Sequence, residues 1–238
     1  MTAARAPGSL RERPFDLLVF DWDGTLLDSV GSIVACTRAA LAELAVPVPP
    51  EPAIRGAIGL GIDETIEVLS PGCDPERAER LRATYGRHWV ETYRGRPLLF
   101  TGVPDLLGRF EAQGYLLAVA TGKSRRGLDH DLAATGLGPR FDATRTADDA
   151  PSKPHPGMLL DLLDELGAHP DRALMVGDSV WDLEMAAAAG TPAVAVCSGG
   201  SPRCDLEARE PVACLDGVGD LADWLAAALA TAQPARRP

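Results

Sequence analysis

Lysine is almost absent from this chain, since Lys123 and Lys153 are the only two among 23 basic residues. Aromatic residues make up only 5% of the sequence, so the core must be built mainly from Leu, Val, Ile and Ala. No apolar run approaches the roughly 18 residues that a membrane span requires. No apolar stretch precedes Phe15, so the N-terminus does not resemble a secretory signal. These absences predict a cytoplasmic protein that does not enter a membrane.

Charge and cysteine usage narrow the class of protein further. Acidic residues outnumber basic ones by 34 to 23, which gives a formal net charge of −11. We therefore expect neither nucleic acid nor an anionic membrane surface to be the main partner. The five cysteines form no C-x-x-C pair and have no zinc-site spacing, so we expect them to be thiols in a reducing compartment. Nothing in the sequence indicates an oligomeric state.

Short apolar segments alternate with helical patterns along most of the chain. The predicted strands are Asp16–Asp21, Tyr115–Thr121, Ala173–Gly177, Thr191–Cys197 and a weaker Val212–Leu215. The predicted helices between and after them are Val103–Gln113, Ser124–Thr135, Pro156–Leu166, Val180–Ala189 and Val218–Leu229. Near-continuous apolar strands that alternate with helices are typical of a parallel sheet covered on both faces. We therefore predict an α/β fold with a doubly wound parallel sheet.

One stretch interrupts this alternation, because residues 31–98 contain helical patterns and no convincing strand. An amphipathic helix over Ile33–Leu44 is followed by a Pro-rich segment, and Asp74 and Pro75 begin another helical pattern. We interpret this stretch as an all-helical inserted domain. The predicted organisation is a discontinuous α/β core (residues 14–30 plus 99–238), a helical cap (31–98) and a flexible N-terminal extension (1–13).

Polar residues follow the predicted strands where each strand ends. In an open parallel sheet, ligands bind at the carboxyl ends of the strands. The residues expected at this edge are Asp21 and Asp23 after the first strand, Thr121, Gly122 and Lys123 after the second, Asp178 and Asp182 after the third, and Lys153 in a Pro-rich loop. Four carboxylates, the Thr121 hydroxyl and Lys153 are thus predicted to converge.

Four carboxylates in one cleft repel one another and would not all stay ionised without help. A divalent cation resolves this, and ligation by oxygen alone suits Mg²⁺ better than zinc. The bound ion would favour binding of an anion. The expected ligand is a phosphate that contacts Mg²⁺, Lys153 and the Thr121 hydroxyl. One carboxylate could then attack phosphorus covalently, and a second could donate a proton to the departing alkoxide.

Each motif also has a simpler structural interpretation. The D-x-D-G segment could be only a turn, and the acidic residues after Gly177 could only stabilise a helix N-terminus. The functional interpretation depends on all the motifs occurring in order at one edge of the sheet.

Four segments of the chain resemble the ordered motifs of the haloacid dehalogenase-like (HAD) hydrolase superfamily. They are FDWDGTLLDS, ATGKS, SKPHP and GDSVWDLEMA, and the resemblance extends from Phe15 to about Leu225. It implies a Rossmann-like core. The inserted helical stretch, with its segment IGLGIDETIEVL, resembles the small cap of the phosphoglycolate-phosphatase-like branch.

The resemblance implies a role for each matching residue. Asp21 would be the nucleophile that forms an aspartyl-phosphate, and Asp23 the general acid/base. Thr121 and Lys153 would hold the transferring phosphoryl group. The implied Mg²⁺ ligands are Asp21, Asp23 through its backbone carbonyl, and Asp178, with Asp182 supporting the metal or Lys153. Gly122, Lys123 and Arg55 are expected to bind substrate, with Arg55 in an Arg55–Gly61 loop and Arg125 or Arg126 nearby. A solvated Arg55 is an equally good interpretation.

Individual residues distinguish among the superfamily's activities. Dehalogenases lack the carboxylate that Asp23 supplies here, and ion-pumping ATPases carry Thr at that place. Phosphonoacetaldehyde hydrolases and sugar-phosphate mutases use a cap lysine, whereas residues 31–98 contain none. We therefore expect an enzyme, a Mg²⁺-dependent phosphatase acting on a small phosphorylated metabolite, with 2-phosphoglycolate as the first candidate. The alternatives are an inorganic pyrophosphatase, a nucleotide or sugar phosphatase on the same scaffold, or a non-catalytic phosphate-binding module.

Overall fold

The computed structural model describes residues 13–93 and 99–232 of the chain, with side chains up to residue 230. The N-terminal extension predicted over residues 1–13 therefore lies, apart from Arg13, outside the described residues. So do residues 94–98, at the end of the predicted cap.

A six-stranded sheet forms the centre of the described structure, and every strand pairing in it is parallel. Its strands are β1 (Leu17–Phe20), β2 (Leu116–Thr121), β3 (Ala143–Thr146), β4 (Ala173–Gly177), β5 (Ala193–Val196) and β6 (Ala213–Leu215). Their order across the sheet is β3-β2-β1-β4-β5-β6, with the first strand at the centre. The predicted fold class is confirmed. The sequence prediction missed β3, because its four residues ATRT include an arginine and are only partly apolar.

Ten α-helices accompany the sheet in the described residues. They are α1 (Val30–Glu43), α2 (Glu51–Gly56), α3 (Ile62–Leu69), α4 (Pro75–Tyr93), α5 (Val103–Ala112), α6 (Arg125–Thr135), α7 (Gly157–Leu166), α8 (Val180–Ala188), α9 (Arg203–Glu207) and α10 (Leu221–Ala232). A short helix begins the predicted Arg55–Gly61 loop, and another lies before β6. Arg55 and Gly56 belong to α2 rather than to a loop, and α9 lies within the stretch between Ser198 and Glu210.

The central strand buries side chains on both faces of the sheet. Leu18 and Phe20 pack in an apolar cluster with α5 and α10, whereas Leu17 and Val19 pack in another with α7 and α8. Alternate residues of a strand point to opposite faces, so both sets can be fully buried only if helices cover both sides. The sheet is therefore doubly wound, and its strand ends remain available to form a site.

Helices α1 to α4 follow β1 and precede α5, and we call them the helical segment (Val30–Tyr93). The segment has small apolar clusters of its own, one around Val34 and Ile54 and one around Leu41 and Leu81. It leaves and rejoins the rest of the chain at one place, where Leu27 and Leu99 form an isolated antiparallel bridge. The proposed division into core and cap domains agrees with this arrangement and stays a prediction.

Candidate active site

The central strand and its two neighbours end at the same level, which brings the motif residues together. Phe20 at the end of β1 is in register with Val119 of β2 and Val176 of β4. The residues immediately beyond are Asp21 after β1 and Asp178 after β4, while Thr121 closes β2. All three are about 1% exposed. Parallel strands in register therefore bring residues more than 150 positions apart to one edge.

Three carboxylates form a buried acidic cluster at this edge. Asp21, Asp178 and Asp182 each offer an oxygen, and these oxygens lie within 4.8 Å of one another. Lys153 is also buried, and its Nζ lies 2.6 Å from Asp21 Oδ1 and 2.5 Å from Asp182 Oδ1. The structure thus brings together four of the residues singled out in the sequence, with Asp182 directly contacting Lys153.

The local structure fixes Asp178 and Asp182 in place. Asp178 accepts hydrogen bonds from Thr25 Oγ1 at 2.8 Å and from the Gly200 backbone N–H at 2.9 Å. Asp182 is the third residue of α8 and forms a reciprocal capping box with Ser179. Gly24 has a φ of +92°, and a Cβ there would lie 2.4 Å from Asp178 Oδ2. The glycine of the D-x-D-G segment is therefore required both by its backbone conformation and by the nearby carboxylate.

Burial and mutual repulsion perturb the ionisation of this cluster. Burial raises the pKa of Asp21 well above its usual range; Lys153 opposes this rise, whereas the charges of Asp182 and Asp178 add to it. Burial and the charge of Asp182 raise the pKa of Asp178 to about 7. Burial alone would lower the pKa of Lys153, but the charges of Asp182 and Asp21 outweigh it and raise that pKa above its ordinary value.

The residues of the cluster fit a divalent cation. With all groups ionised, three carboxylates and one lysine sum to −3 + 1 = −2, in a region that water barely reaches. The raised pKa values of Asp21 and Asp178 show that Lys153 alone does not compensate this negative charge. An all-oxygen carboxylate set is the donor chemistry of hard cations. Asp21, Asp178 and Asp182 could therefore hold such an ion.

The carboxylate of Asp23 points to a different set of partners. Its Oδ1 accepts a hydrogen bond from Ser29 Oγ at 2.7 Å, and Lys123 Nζ lies 3.1 Å from Oδ1 and 2.9 Å from Oδ2. The side chain of Asp23 is thus not part of the acidic cluster, so any contribution to a metal would have to come from its predicted backbone carbonyl. The side chain remains beside the cleft, as an acid/base group must.

Sequence reasoning missed Asp131 of α6, which is part of the same arrangement. Asp131 Oδ2 lies 3.2 Å from Lys123 Nζ and accepts a hydrogen bond from Trp22 Nε1 at 3.1 Å. Trp22 is fully buried. The only sequence signal for Asp131 was its place one helix length after the T-G-K-S segment. That signal does not distinguish Asp131 from Asp129, an exposed residue of the same helix.

The other predicted substrate-binding residues have mixed placements. Gly122 lines the cleft, and a Cβ there would lie 2.4 Å from the backbone carbonyl oxygens of Gly59 and Leu60. Arg55 is not among the residues that line the cleft, and its Nε lies 2.9 Å from Glu51 Oε1. Its proposed role as a carboxylate clamp stays a prediction. Of the two α6 arginines, Arg126 lines the cleft, whereas Arg125 forms an ion pair with Asp149.

A cleft of about 1010 Å³ lies between the sheet edge and the helical segment. Asp21, Asp23 and Thr121 line one side, and Ile58, Tyr85 and Trp89 line the other. The helical segment is seated over the sheet, because Trp181 Nε1 donates to Gly56 O at 2.8 Å and Gly61 N donates to Ser152 Oγ at 2.7 Å. The helical segment therefore covers the cleft.

Comparisons with known proteins identify the family. Residues 18–196 match the haloacid dehalogenase-like hydrolase family. The chain is 37% identical over 204 residues to Probable phosphatase IndB of Dickeya dadantii, covering 84% of this chain and 89% of that protein. It is 30% identical over 226 residues to the phosphoglycolate phosphatase of Escherichia coli, covering 86% and 90%. A solved hydrolase from Pseudomonas syringae superposes with a TM-score of 0.82 at 27% identity, covering 90% of this chain and 99% of that one.

The chain belongs to the haloacid dehalogenase-like hydrolase family, as the sequence motifs indicated. Within that family it is a phosphatase. Among the residues described here, no helix combines the length and the apolar character needed to cross a bilayer.

Proposed function

We propose that this phosphatase is Mg²⁺-dependent and hydrolyses a small phosphomonoester through an aspartyl-phosphate on Asp21. The observation that carries the proposal is the buried cluster of Asp21, Asp178 and Asp182, with Lys153 between two of them and with Asp21 lining a covered cleft. A structural salt-bridge network would not need excess negative charge beside a cleft, whereas a site that holds a divalent cation for phosphoryl transfer does.

Each residue of the site would take one part of the reaction. Bound Mg²⁺ would neutralise the charge of the phosphoryl oxygens and of the attacking carboxylate. A carboxylate oxygen of Asp21 would attack phosphorus while the bond from phosphorus to the ester oxygen breaks. Asp23 would give a proton to that departing oxygen, and then take one from the water that hydrolyses the aspartyl-phosphate. Lys153 and Thr121 would hold the transferring group.

The first candidate substrate is 2-phosphoglycolate. Relatives named phosphoglycolate phosphatase support it, including one of 33% identity from Mesorhizobium japonicum that the match covers to 85%. The cleft supports a second candidate, a nucleotide or sugar phosphate. A volume of about 1010 Å³ lies at the upper end of the range of roughly 300–1,000 Å³ typical of pockets for drug-sized ligands. A two-carbon acid would fill little of it. Inorganic pyrophosphate is the remaining alternative.

Two further proposals accompany this function. We propose that the protein works in the cytoplasm, which its five free thiols support. We also propose that its partner is a small phosphorylated metabolite rather than nucleic acid, which the net charge of −11 supports.

The test is phosphate release from a panel containing 2-phosphoglycolate, nucleoside monophosphates, sugar phosphates and pyrophosphate. EDTA should abolish release, and added Mg²⁺ should restore it. Asp21→Asn should lose essentially all turnover while it remains folded, because an amide cannot act as the nucleophile. Asp105→Asn, at an exposed position on α5, is the matched control and should behave like the wild type. Retained turnover in Asp21→Asn would reject the assigned nucleophile, and tight ester binding without hydrolysis would favour the binding-module alternative.

A further inference from the structure

Lys123 connects the helical segment to the proposed acid/base carboxylate. The residue follows the end of β2, and its ammonium group lies between Asp23, Asp131 and the ring of Trp89. Trp89 belongs to α4, in the helical segment, whereas the two carboxylates belong to the sheet part of the chain. Lys123 is one of only two lysines in an arginine-rich sequence.

The ammonium group of Lys123 is already engaged by two carboxylates of the protein. Its Nζ lies 3.1 Å and 2.9 Å from the two oxygens of Asp23, and 3.2 Å from Asp131 Oδ2. Of the three N–H donors of a lysine ammonium, two are matched by the Asp23 oxygens, and Asp131 pairs with the charge of the group. The side chains of Lys123, Asp23 and Asp131 are only 12–13% exposed, so water competes little for these contacts. This geometry fits a positioning residue rather than a substrate-binding one.

The Asp23 carboxylate is fixed from two sides by this arrangement. Ser29 Oγ donates to Oδ1 at 2.7 Å, while Lys123 spans both oxygens. A carboxylate gripped at both oxygens cannot rotate freely about its last bond. Asp131 holds Lys123 in turn, and the indole N–H of the fully buried Trp22 holds Asp131.

The helical segment supplies the remaining partner of Lys123. Its Nζ lies 4.9 Å from the centre of the Trp89 ring, within the distance of a cation–π contact. Trp89 is itself packed between Tyr85 and Tyr93, with ring centres 6.4 Å and 5.5 Å away. The ring therefore faces Lys123 only while α4 lies over the sheet edge.

We propose that Lys123 positions Asp23 for proton transfer to the leaving oxygen, and that Trp89 holds Lys123 in place when the helical segment is seated. Covering the cleft and orienting the acid/base group are thus one event. This inference rests on the proposed function, because it assigns Asp23 the proton transfer. It replaces the expected substrate-binding role of Lys123.

The test compares two substrates that differ in their need for a proton. The alkoxide released from an alkyl phosphate must be protonated, whereas p-nitrophenolate leaves without help. Lys123→Met should lower kcat/KM for the alkyl substrate about tenfold to a hundredfold, since general acid catalysis contributes roughly 10²–10⁴-fold. The loss in kcat/KM for p-nitrophenyl phosphate should be below about threefold. The parameter kcat/KM reports the step in which the leaving group departs, so slower hydrolysis of the aspartyl-phosphate does not enter it.

Variants of Trp89 test the helical segment separately and do not alter the charged residues. Trp89→Leu should reproduce the substrate-dependent loss at about twofold to tenfold, the size of one cation–π contact. Trp89→Phe should restore most of the activity, because it keeps an aromatic face. Arg209→Met removes an exposed cation that pairs with Glu184, neither of which lines the cleft, and it should leave the kinetics of both substrates unchanged. If circular dichroism shows that Lys123→Met does not fold, the comparison of Trp89→Leu with Trp89→Phe still tests the proposal.

The possible failures are distinguishable. A wild-type protein that releases no phosphate from any substrate overturns the proposed function. If the wild type is active but Lys123→Met loses the same factor in kcat/KM for both substrates, with a raised KM, then Lys123 binds substrate. That result would overturn the positioning role. Unchanged activity in Lys123→Met or Trp89→Leu would also overturn it.

Discussion

Replacing Lys153 by methionine should destabilise the metal-free protein severely. Lys153 is 1% exposed, and its Nζ contacts Asp21 Oδ1 at 2.6 Å and Asp182 Oδ1 at 2.5 Å. Methionine retains an unbranched stem of similar length, so the main change is the loss of the positive charge. With every carboxylate ionised, the charge of the buried groups would go from −2 to −3.

The expected cost is about 3–5 kcal/mol in the free energy of unfolding, the usual penalty for removing one partner of a buried ion pair. No reduction for solvent screening applies, because the three side chains are at most 2% exposed. A natural domain has only about 5–15 kcal/mol of stability in total. Without a divalent cation, the variant should therefore be close to unfolding at room temperature.

The assay is urea unfolding in EDTA, followed by circular dichroism, for the wild type, Lys153→Met, Asp182→Asn and the double variant. Asp182→Asn removes one of the two charges that Lys153 compensates, so the double variant should be more stable than the sum of the single effects predicts. Arg209→Met, which removes an exposed cation, should cost less than about 1 kcal/mol. A loss below about 1 kcal/mol in Lys153→Met, or strict additivity in the cycle, would refute this account of the cluster.

Three other predictions follow from single contacts. Phe110→Ala should lower the free energy of unfolding by about 3–5 kcal/mol, as measured by urea titration. The reason is that this ring is 1% exposed and packs in the apolar cluster with α5 and α10. A cost under about 1 kcal/mol would contradict that packing. Gly122→Ala should lower kcat/KM severalfold with little change in the thermal midpoint of unfolding. The new Cβ would clash with the Gly59 carbonyl oxygen and displace the helical segment from the sheet edge. Unchanged kinetics would show that the segment does not contact Gly122 in solution. Burial raises the pKa of Cys36 to about 11, so at pH 8 only about a thousandth of this thiol is ionised, and alkylation followed by mass spectrometry should label the exposed Cys204 first. Because the pKa is raised, labelling of Cys36 should accelerate about tenfold per pH unit up to about pH 11, and fast labelling at pH 8 would contradict its burial.

The parts of the fold that depend on local pattern could be predicted from the sequence. The strand at Ala173–Gly177 was predicted with its observed bounds, because it is wholly buried and uniformly apolar. The segment at Ala143–Thr146 could not be predicted, because only two of its four residues are buried and pairing with the neighbouring β2 determines its strand conformation. The helix α2 was missed because its single turn begins at Glu51 and Pro52, within a Pro-rich stretch that is more typical of a loop.

The site was predictable where topology alone brings residues together. Thr121 ends a parallel strand and Asp21 and Asp178 come immediately after two others, so their proximity follows from the sheet. The partners of Lys123 did not follow in this way. Asp23 lies 100 positions away from Lys123 in the sequence. Whether Lys123 contacts a substrate or two carboxylates depends on the directions of the side chains, and residue spacing does not encode these directions. Asp131 was missed for the same reason, since its importance comes from a contact with Trp22 across 109 positions.

The bridge between Leu27 and Leu99 has a practical consequence for engineering. Phe100 N also donates a hydrogen bond to Leu26 O at 3.1 Å. The chain segments that enter and leave the helical segment are therefore adjacent and paired with each other. A foreign segment with equally close ends could be grafted at this point without altering the strand register. Exchanging the segment with that of a relative would then transfer substrate preference while the buried aspartates stay in place.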